Sequence, residues 1–121
     1  MILVVDDCRD ICGAVVRVLT AMRYAALGVT GGREAIDYLR DERPDLMLLD
    51  CNMPDVDGVE VLRHVRGDPR LAEMPVVMLS GDLRPALRAE LERAGIQGWI
   101  LKDHSSYDEI RDAALRYGVP A

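Results

Sequence analysis

Three short runs, Ile2–Val5, Leu46–Leu49 and 76–79, are apolar at every position. A strand with one wet face alternates apolar and polar residues, so a run without alternation belongs to a strand covered on both faces. Such strands build parallel sheets sandwiched between helices. Residues 24–29 form a weaker run, diluted by Ala25, Ala26 and Gly28, and 99–101 form a short fifth.

Between these runs the apolar period becomes helical. Ile11, Val15, Val18, Leu19 and Met22 make one stripe; Ala35, Ile36 and Leu39 make another after Gly31-Gly32. Val59, Leu62 and Val65 follow Gly58, and Leu87, Leu91 and Ala94 make the fourth, with Pro85 suited to a first turn and Gly95 to a stop. The last stripe, Tyr107, Ile110, Ala114 and Tyr117, opens on a possible capping box, Ser106-x-x-Glu109, and closes at Gly118. The order is β then α, five times, with short joins, which predicts an α/β sandwich with right-handed crossovers around a parallel sheet.

The 121 residues suit one domain, 1–121, with no visible linker, repeat or output module. Aromatics are only 4%, so the core is aliphatic. A net charge of −6 excludes unspecific attraction to nucleic acid or anionic membranes. No apolar run approaches the roughly 20 residues that span a bilayer. The N-terminus meets Asp6-Asp7 at once, without a basic leader. Three cysteines, Cys8, Cys12 and Cys51, are too few for a disulfide framework and suit a reducing compartment, so a cytoplasmic location is expected. Cys8 and Cys51 each follow an acid and in this fold could be neighbours at the mouth of the site, where space filling is preferred over a redox or metal role because the cleft is acidic. His64 and His104 are expected at the surface.

In an open parallel sheet, ligands bind beyond the carboxyl ends of the strands. Asp6 and Asp7 follow the first strand, Asp50 ends the third, Ser80 and Gly81 follow the fourth, and Lys102 follows the fifth. The second strand delivers only Thr30 and two glycines, as an edge strand can. Three carboxylates in one cleft raise one another's pKa or demand a cation. Mg²⁺ takes one or two carboxylates, waters and a phosphate oxygen. With an ammonium and a hydroxyl nearby, the set suits phosphoryl transfer, and Asp50 is the best placed nucleophile for an aspartyl-phosphate.

Val4-Val5-Asp6-Asp7, Leu48-Leu49-Asp50-x-x-Met53-Pro54-x-x-Asp57-Gly58, Val77-Met78-Leu79-Ser80-Gly81 and Ala94-Gly95-x-x-Gly98-Trp99-x-x-Lys102, with Gly32-Arg33-Glu34-Ala35, stand in order along the chain. In these blocks the chain resembles the receiver domain of two-component response regulators, of the single-domain type seen among chemotaxis regulators. The resemblance implies a flavodoxin-like doubly wound (βα)5 fold with strand order 2-1-3-4-5. It implies Asp50 as phosphoacceptor, Asp7 as a direct Mg²⁺ ligand, Asp6 as a ligand mainly through water, and the Asn52 backbone carbonyl as a further ligand. Ser80 and Lys102 would contact the phosphoryl oxygens, and Gly81 would leave room for the group and its donor. The Asn52 and Asp82 side chains would tune dephosphorylation, and Trp99 would occupy the switch position. The implied partners are a histidine kinase or phosphotransfer protein, a downstream protein at the face of the fourth helix, fifth strand and fifth helix, and a second copy in a homodimer.

Two positions depart from the family pattern. Lys102 is followed by Asp103, where the family usually has proline after a cis bond. A non-proline cis bond costs about 2.5–4 kcal/mol, so either the bond is trans and the loop differs, or the strain is held there. Trp99 stands where Tyr or Phe is usual, and its bulk makes inward packing harder. These departures favour the alternative reading of a receiver-like adaptor that ignores phosphate. A Mg²⁺-dependent phosphohydrolase is a third reading, but such enzymes carry a second acid two residues after the nucleophile, where this chain has Asn52. No G-x-G-x-x-G or P-loop pattern is present. The expectation is a switch that catalyses only its own phosphorylation and dephosphorylation.

Overall fold

The computed structural model describes residues 1–81, 84–102 and 106–119, the side chain of Ser106 excepted. Its elements are β1 (Ile2–Val5), α1 (Arg9–Ala21), β2 (Ala26–Val29), α2 (Gly32–Leu39), β3 (Leu46–Leu49), α3 (Gly58–Gly67), β4 (Val76–Ser80), α4 (Pro85–Ala94), β5 (Gly98–Leu101) and α5 (Ser106–Tyr117). The five strands form one sheet in the order β2-β1-β3-β4-β5, and every pairing is parallel. The doubly wound fold and its strand order are as expected.

Burial follows strand position. Every residue of β1, β3 and β4 is buried, whereas the edge strands β2 and β5 are largely half-buried or exposed. Alternate side chains feed two apolar layers. Leu3, Val5, Met47, Leu49, Val76 and Met78 point into the layer of α2, α3 and α4. Ile2, Val4, Leu46, Leu48, Val77 and Leu79 point into the layer of α1 and α5.

Local signals account for the ends of α4 and the start of α3. The Asp57 side chain caps α3 by accepting from the Glu60 N–H at 3.0 Å. Pro85 sits in the first turn of α4, and Gly95, at φ 106°, ends it. The phase of α1 differs from the expectation. Cys12, Val15 and Leu19 are its buried residues, and Ile11 is 38% exposed. The phase is set by β2: a Cβ on Gly28 would lie 2.6 Å from Cys12 Sγ, so the thiol packs where only a glycine leaves space. Likewise β2 begins at Ala26, because Arg23 turns the chain at φ 69° and Tyr24 folds into the core ahead of the strand.

At the edge of the sheet opposite its carboxyl ends, one guanidinium ties three segments together. Arg66 on α3 donates to the carbonyls of Gly95 (2.9 Å), Ala72 (3.0 Å) and Met74 (2.7 Å) and to Gln97 Oε1 (3.1 Å). Gln97 Oε1 also accepts from Val76 N–H at 2.7 Å, so the starts of β4 and β5 share the clasp. Among the described residues, no helix is long and apolar enough to cross a membrane.

Candidate functional site

The strand ladders run one residue past the strands and so fix the site's backbone. Asp6 N–H donates to Val29 O at 3.2 Å, Asp50 N–H to Val5 O at 2.9 Å, and Lys102 N–H to Ser80 O at 3.1 Å. Each of these residues is therefore held at the carboxyl edge by its neighbouring strand. Their side chains converge in front of β1 and β3. Ligand oxygens of Asp6, Asp7 and Asp50 all lie within 4.8 Å of one another. Lys102 Nζ lies 2.5 Å from Asp6 Oδ2 and 3.3 Å from Asp50 Oδ2.

The carboxylates differ in environment. Asp6 is fully buried; its Oδ1 accepts from Cys8 N–H at 2.9 Å. Its Oδ2 is paired with the Lys102 ammonium. Asp50 is 4% exposed and accepts a long bond, 3.4 Å, from Asn52 N–H. Asp7 is exposed and opens the cluster to solvent. Burial raises the Asp50 carboxyl to about 6, with Asp6 adding to the rise and Lys102 opposing it. Burial lowers the Lys102 ammonium, but the Asp6 and Asp50 carboxylates outweigh it and hold the ammonium above its ordinary value.

Three carboxylates against one ammonium leave an excess of negative charge in a partly dry cleft. Three carboxylates whose oxygens converge within 4.8 Å, one of them fully buried, are a donor set for a hard divalent cation. The residues present fit Mg²⁺.

The other expected site residues are placed as follows. Ser80 is the last residue of β4 and fully buried. Gly81 is exposed, and a Cβ there would meet nothing within 4 Å, so the space beside the hydroxyl is open. Asn52 is exposed on the β3–α3 loop. Trp99 lies on β5 opposite Met78, half-buried against the layer of α2, α3 and α4. Asp82, His104 and the Lys102–Asp103 bond lie outside the described residues. Cys8 is exposed and Cys51 is buried in the core, and neither is in a disulfide. The burial follows from strand alternation, since Cys51 continues the inward face of Met47 and Leu49.

Two contacts were not apparent from the sequence. Arg88 on α4 stacks over the Trp99 ring with Cζ 5.4 Å from its centre, and its Nε donates to Glu92 Oε1 at 2.9 Å. Gly58 begins α3 directly against the Asp50 backbone: a Cβ there would lie 2.3 Å from Asp50 O. The Asp57-Gly58 pair is readable as a cap, but not as a close approach to Asp50.

A five-stranded parallel sheet with an acidic cluster and a lysine at its carboxyl edge defines an aspartate-centred receiver. Residues 2–114 match the response regulator receiver domain, and the chain belongs to that family. The polar-differentiation response regulator DivK of Brucella anthropi is 30% identical over 84 residues, covering 69% of this chain and 68% of that protein. The chemotaxis protein CheY4 of Vibrio cholerae superposes with a TM-score of 0.87 at 28% identity, over 96% of each chain. The phosphorylated cyanobacterial phytochrome response regulator RcpA gives 0.88 at 27% identity, over 96% of this chain and 91% of that one. Receiver domains are signalling switches that bind Mg²⁺ in an acidic pocket and interact with histidine kinases and downstream targets.

Proposed function

We propose that this chain, acting as one receiver unit, takes a phosphoryl group from a histidine kinase or phosphotransfer protein on Asp50 and thereby changes its affinity for a downstream protein. The observation that carries this reading is the convergence of Asp6, Asp7 and Asp50 within 4.8 Å, with Lys102 Nζ 2.5 Å and 3.3 Å from two of them. The site works in the cytoplasm, where such donors are found.

Asp50 acts as the nucleophile. One carboxylate oxygen forms a bond to phosphorus as the bond to the donor's imidazole nitrogen breaks, leaving an acyl phosphate. Asp7, Asp6 and the Asn52 carbonyl would hold Mg²⁺ together with Asp50. When bound, the ion neutralises the cluster and stabilises charge on the phosphoryl oxygens. Lys102 pairs with one phosphoryl oxygen, and the Ser80 hydroxyl donates to another. The open space at Gly81 admits the group and the donor. Asn52 and Asp82 govern how water reaches the acyl phosphate. The new group adds about −1.5 to −2 charges at neutral pH, drawing Ser80 and Lys102 towards it. Trp99, two residues before the one paired with Ser80, passes that displacement to the α4–β5–α5 face. This biases a two-state surface rather than creating a new one.

Intact mass after incubation with acetyl phosphate or a phosphoramidate and Mg²⁺ tests the reading. One phosphoryl adduct is expected, lost without Mg²⁺ and lost in Asp50→Asn. An adduct that survives Asp50→Asn refutes the assignment. No adduct on the wild type, with the fold intact, leaves the phosphate-independent adaptor.

A further inference from the structure

Helix α4 begins near the carboxyl edge, a few residues after Ser80, and runs back to the opposite edge, where β5 starts. Its two halves are fastened differently. In the first half, Pro85, Ala86 and Arg88 are exposed and Leu87 is half-buried; Arg88 reaches Trp99 from the surface. The second half holds Leu91, the one fully buried residue of the helix, and Glu90, which pairs with Arg63 of α3 at 2.7 Å. Just past the helix the chain is tied to the sheet. Gly95 N–H closes the last turn on Leu91 O at 3.0 Å, and Gly95 O accepts from Arg66 Nε at 2.9 Å. Two residues on, Gln97 N–H donates to Val76 O at 2.8 Å, and Gln97 Oε1 accepts from Val76 N–H at 2.7 Å and from Arg66 at 3.1 Å. The same guanidinium holds Ala72 O and Met74 O, so one planar fork fixes the end of α4 to the α3–β4 connection and to the starts of β4 and β5. The last carbonyls of a helix ordinarily lack such partners, and helix ends fray.

We propose that α4 is a lever with its fulcrum at the Arg66 clasp: the half of the helix nearest the acidic pocket swings, while residues 95–97 stay fixed to β4 and the α3–β4 connection. The lever is a property of the packing and needs no phosphoryl group. Its use in signalling rests on the reading of the site given above, in which a group that draws on Ser80 acts beside the moving end. A helix held at one end turns a small shift near the pocket into a rotation. The α4–β5 face then changes most at the carboxyl edge and least beside the clasp. Arg88 lies on the moving half, so its guanidinium travels across the indole. Lysine cannot take the place of Arg66, because its three donors sit on one atom and cannot span the four acceptors that the fork reaches.

Residue-resolved amide exchange on the full chain, without metal, tests the lever. Arg88 N–H, bonded to Arg84 O at 3.2 Å, reports the first half of the helix, and the N–H groups of Gly95 and Gln97 report its end. After correction for intrinsic rates, Gly95 and Gln97 are expected to exchange about tenfold more slowly than Arg88, since their opening requires the clasp to break. In Arg66→Lys both are expected to reach the Arg88 rate, with Arg88 itself unchanged. Gly95 exchanging as fast as Arg88 in the wild type overturns the proposal. So does an Arg66→Lys that speeds all three alike, which makes the clasp a general brace, or one that changes none of them. If Arg66→Lys does not fold, the exposed Gln97 decides. Gln97→Met is expected to speed residues 95 and 97 by a smaller factor, and Gln97→Glu, which keeps the acceptor, to match the wild type; a Gln97→Met that also matches it overturns the proposal. Repeating the exchange with acetyl phosphate and Mg²⁺, the adduct confirmed by mass, tests the use in signalling. Arg88 is expected to change while Gly95 and Gln97 hold. Equal changes at both ends, or none at Arg88, overturn that use. Absence of an adduct refutes the site reading instead and leaves the lever to the metal-free comparison, so the two failures are distinct.

Discussion

The central and outer strands of this sheet do different work. β1, β3 and β4 are buried along their whole length, and their carboxyl ends bring Asp6, Asp50 and Ser80 to the pocket. β2 and β5 lie at the edges with partly exposed side chains, and β5 carries Trp99 beneath a guanidinium from α4. A strand packed on both faces cannot shift without opening cavities, which holds the carboxylate at its end to a fixed geometry. An edge strand gives up few contacts when a side chain turns. The fold thus places its acidic cluster on its stiffest strands and its tryptophan on an edge.

Truncation of one leucine from each kind of strand gives the largest separation between them. Leu48 in β3 is 1% exposed, while Leu27 in β2 is 39% exposed. Leu48→Ala is expected to cost about 3 kcal/mol, combining lost burial with a cavity. Leu27→Ala is expected to cost under about 1 kcal/mol. Urea unfolding followed by Trp99 fluorescence checks both, and equal losses would contradict the division between centre and edge.

The second effect concerns the charge held at the stiff centre. The Asp50 carboxyl stands at about 6 in the folded chain, against an ordinary value of 3.8, because burial disfavours its charged form. The folded state therefore holds this proton more tightly than the unfolded state. Below the ordinary value both states are protonated and there is no penalty. As pH rises from there through about 6, the metal-free protein loses stability by up to about 3 kcal/mol. Asp50→Asn is expected to recover that amount at pH 7 without Mg²⁺ and to recover nothing near pH 3.5. Mg²⁺ should narrow the difference by stabilising the wild type alone. Melting temperatures across that pH range decide it; an Asn variant no more stable than the wild type at pH 7 would show that the carboxylate is already compensated.

The same division governs what the sequence reveals. The central strands are legible because two-sided burial writes an unbroken apolar run, as in Leu46–Leu49. The clustering of Asp6, Asp7, Asp50 and Lys102 follows from strand ends sharing one edge. The edges are less legible. The weak run at 24–29 includes Tyr24, which is core rather than strand, because nothing local marks the turn at Arg23. Ile11 fits the helical stripe of α1 as well as Cys12 does, and only the packing of Cys12 on Gly28 settles the phase. Contacts between distant residues are not written locally at all. Arg66 to Gly95, Arg88 to Trp99 and Gly32 to Val56 depend on how elements dock, and a single chain's pattern carries no record of such pairs.

The smallest expected effect falls on β5 and sharpens the contrast most. Arg88 is an exposed residue whose guanidinium lies over the indole and is held by Glu92. A cation over an aromatic ring at such a site contributes about 0.5–1 kcal/mol, so Arg88→Met should barely change stability. The methionine keeps an apolar stem against the ring but lacks the charge, and the indole should become easier to displace. Trp99 is the one tryptophan in the chain, so acrylamide quenching reads its accessibility directly. Quenching is expected to rise in Arg88→Met while Mg²⁺ affinity stays at the wild-type value, because the acidic cluster is built by β1, β3 and Lys102 and owes nothing to α4. If both move together, the edge and the centre are mechanically one unit and the division drawn above fails. If neither moves, the indole is held by Leu87, Ile96 and the layer beneath it, and the guanidinium is a passive cover.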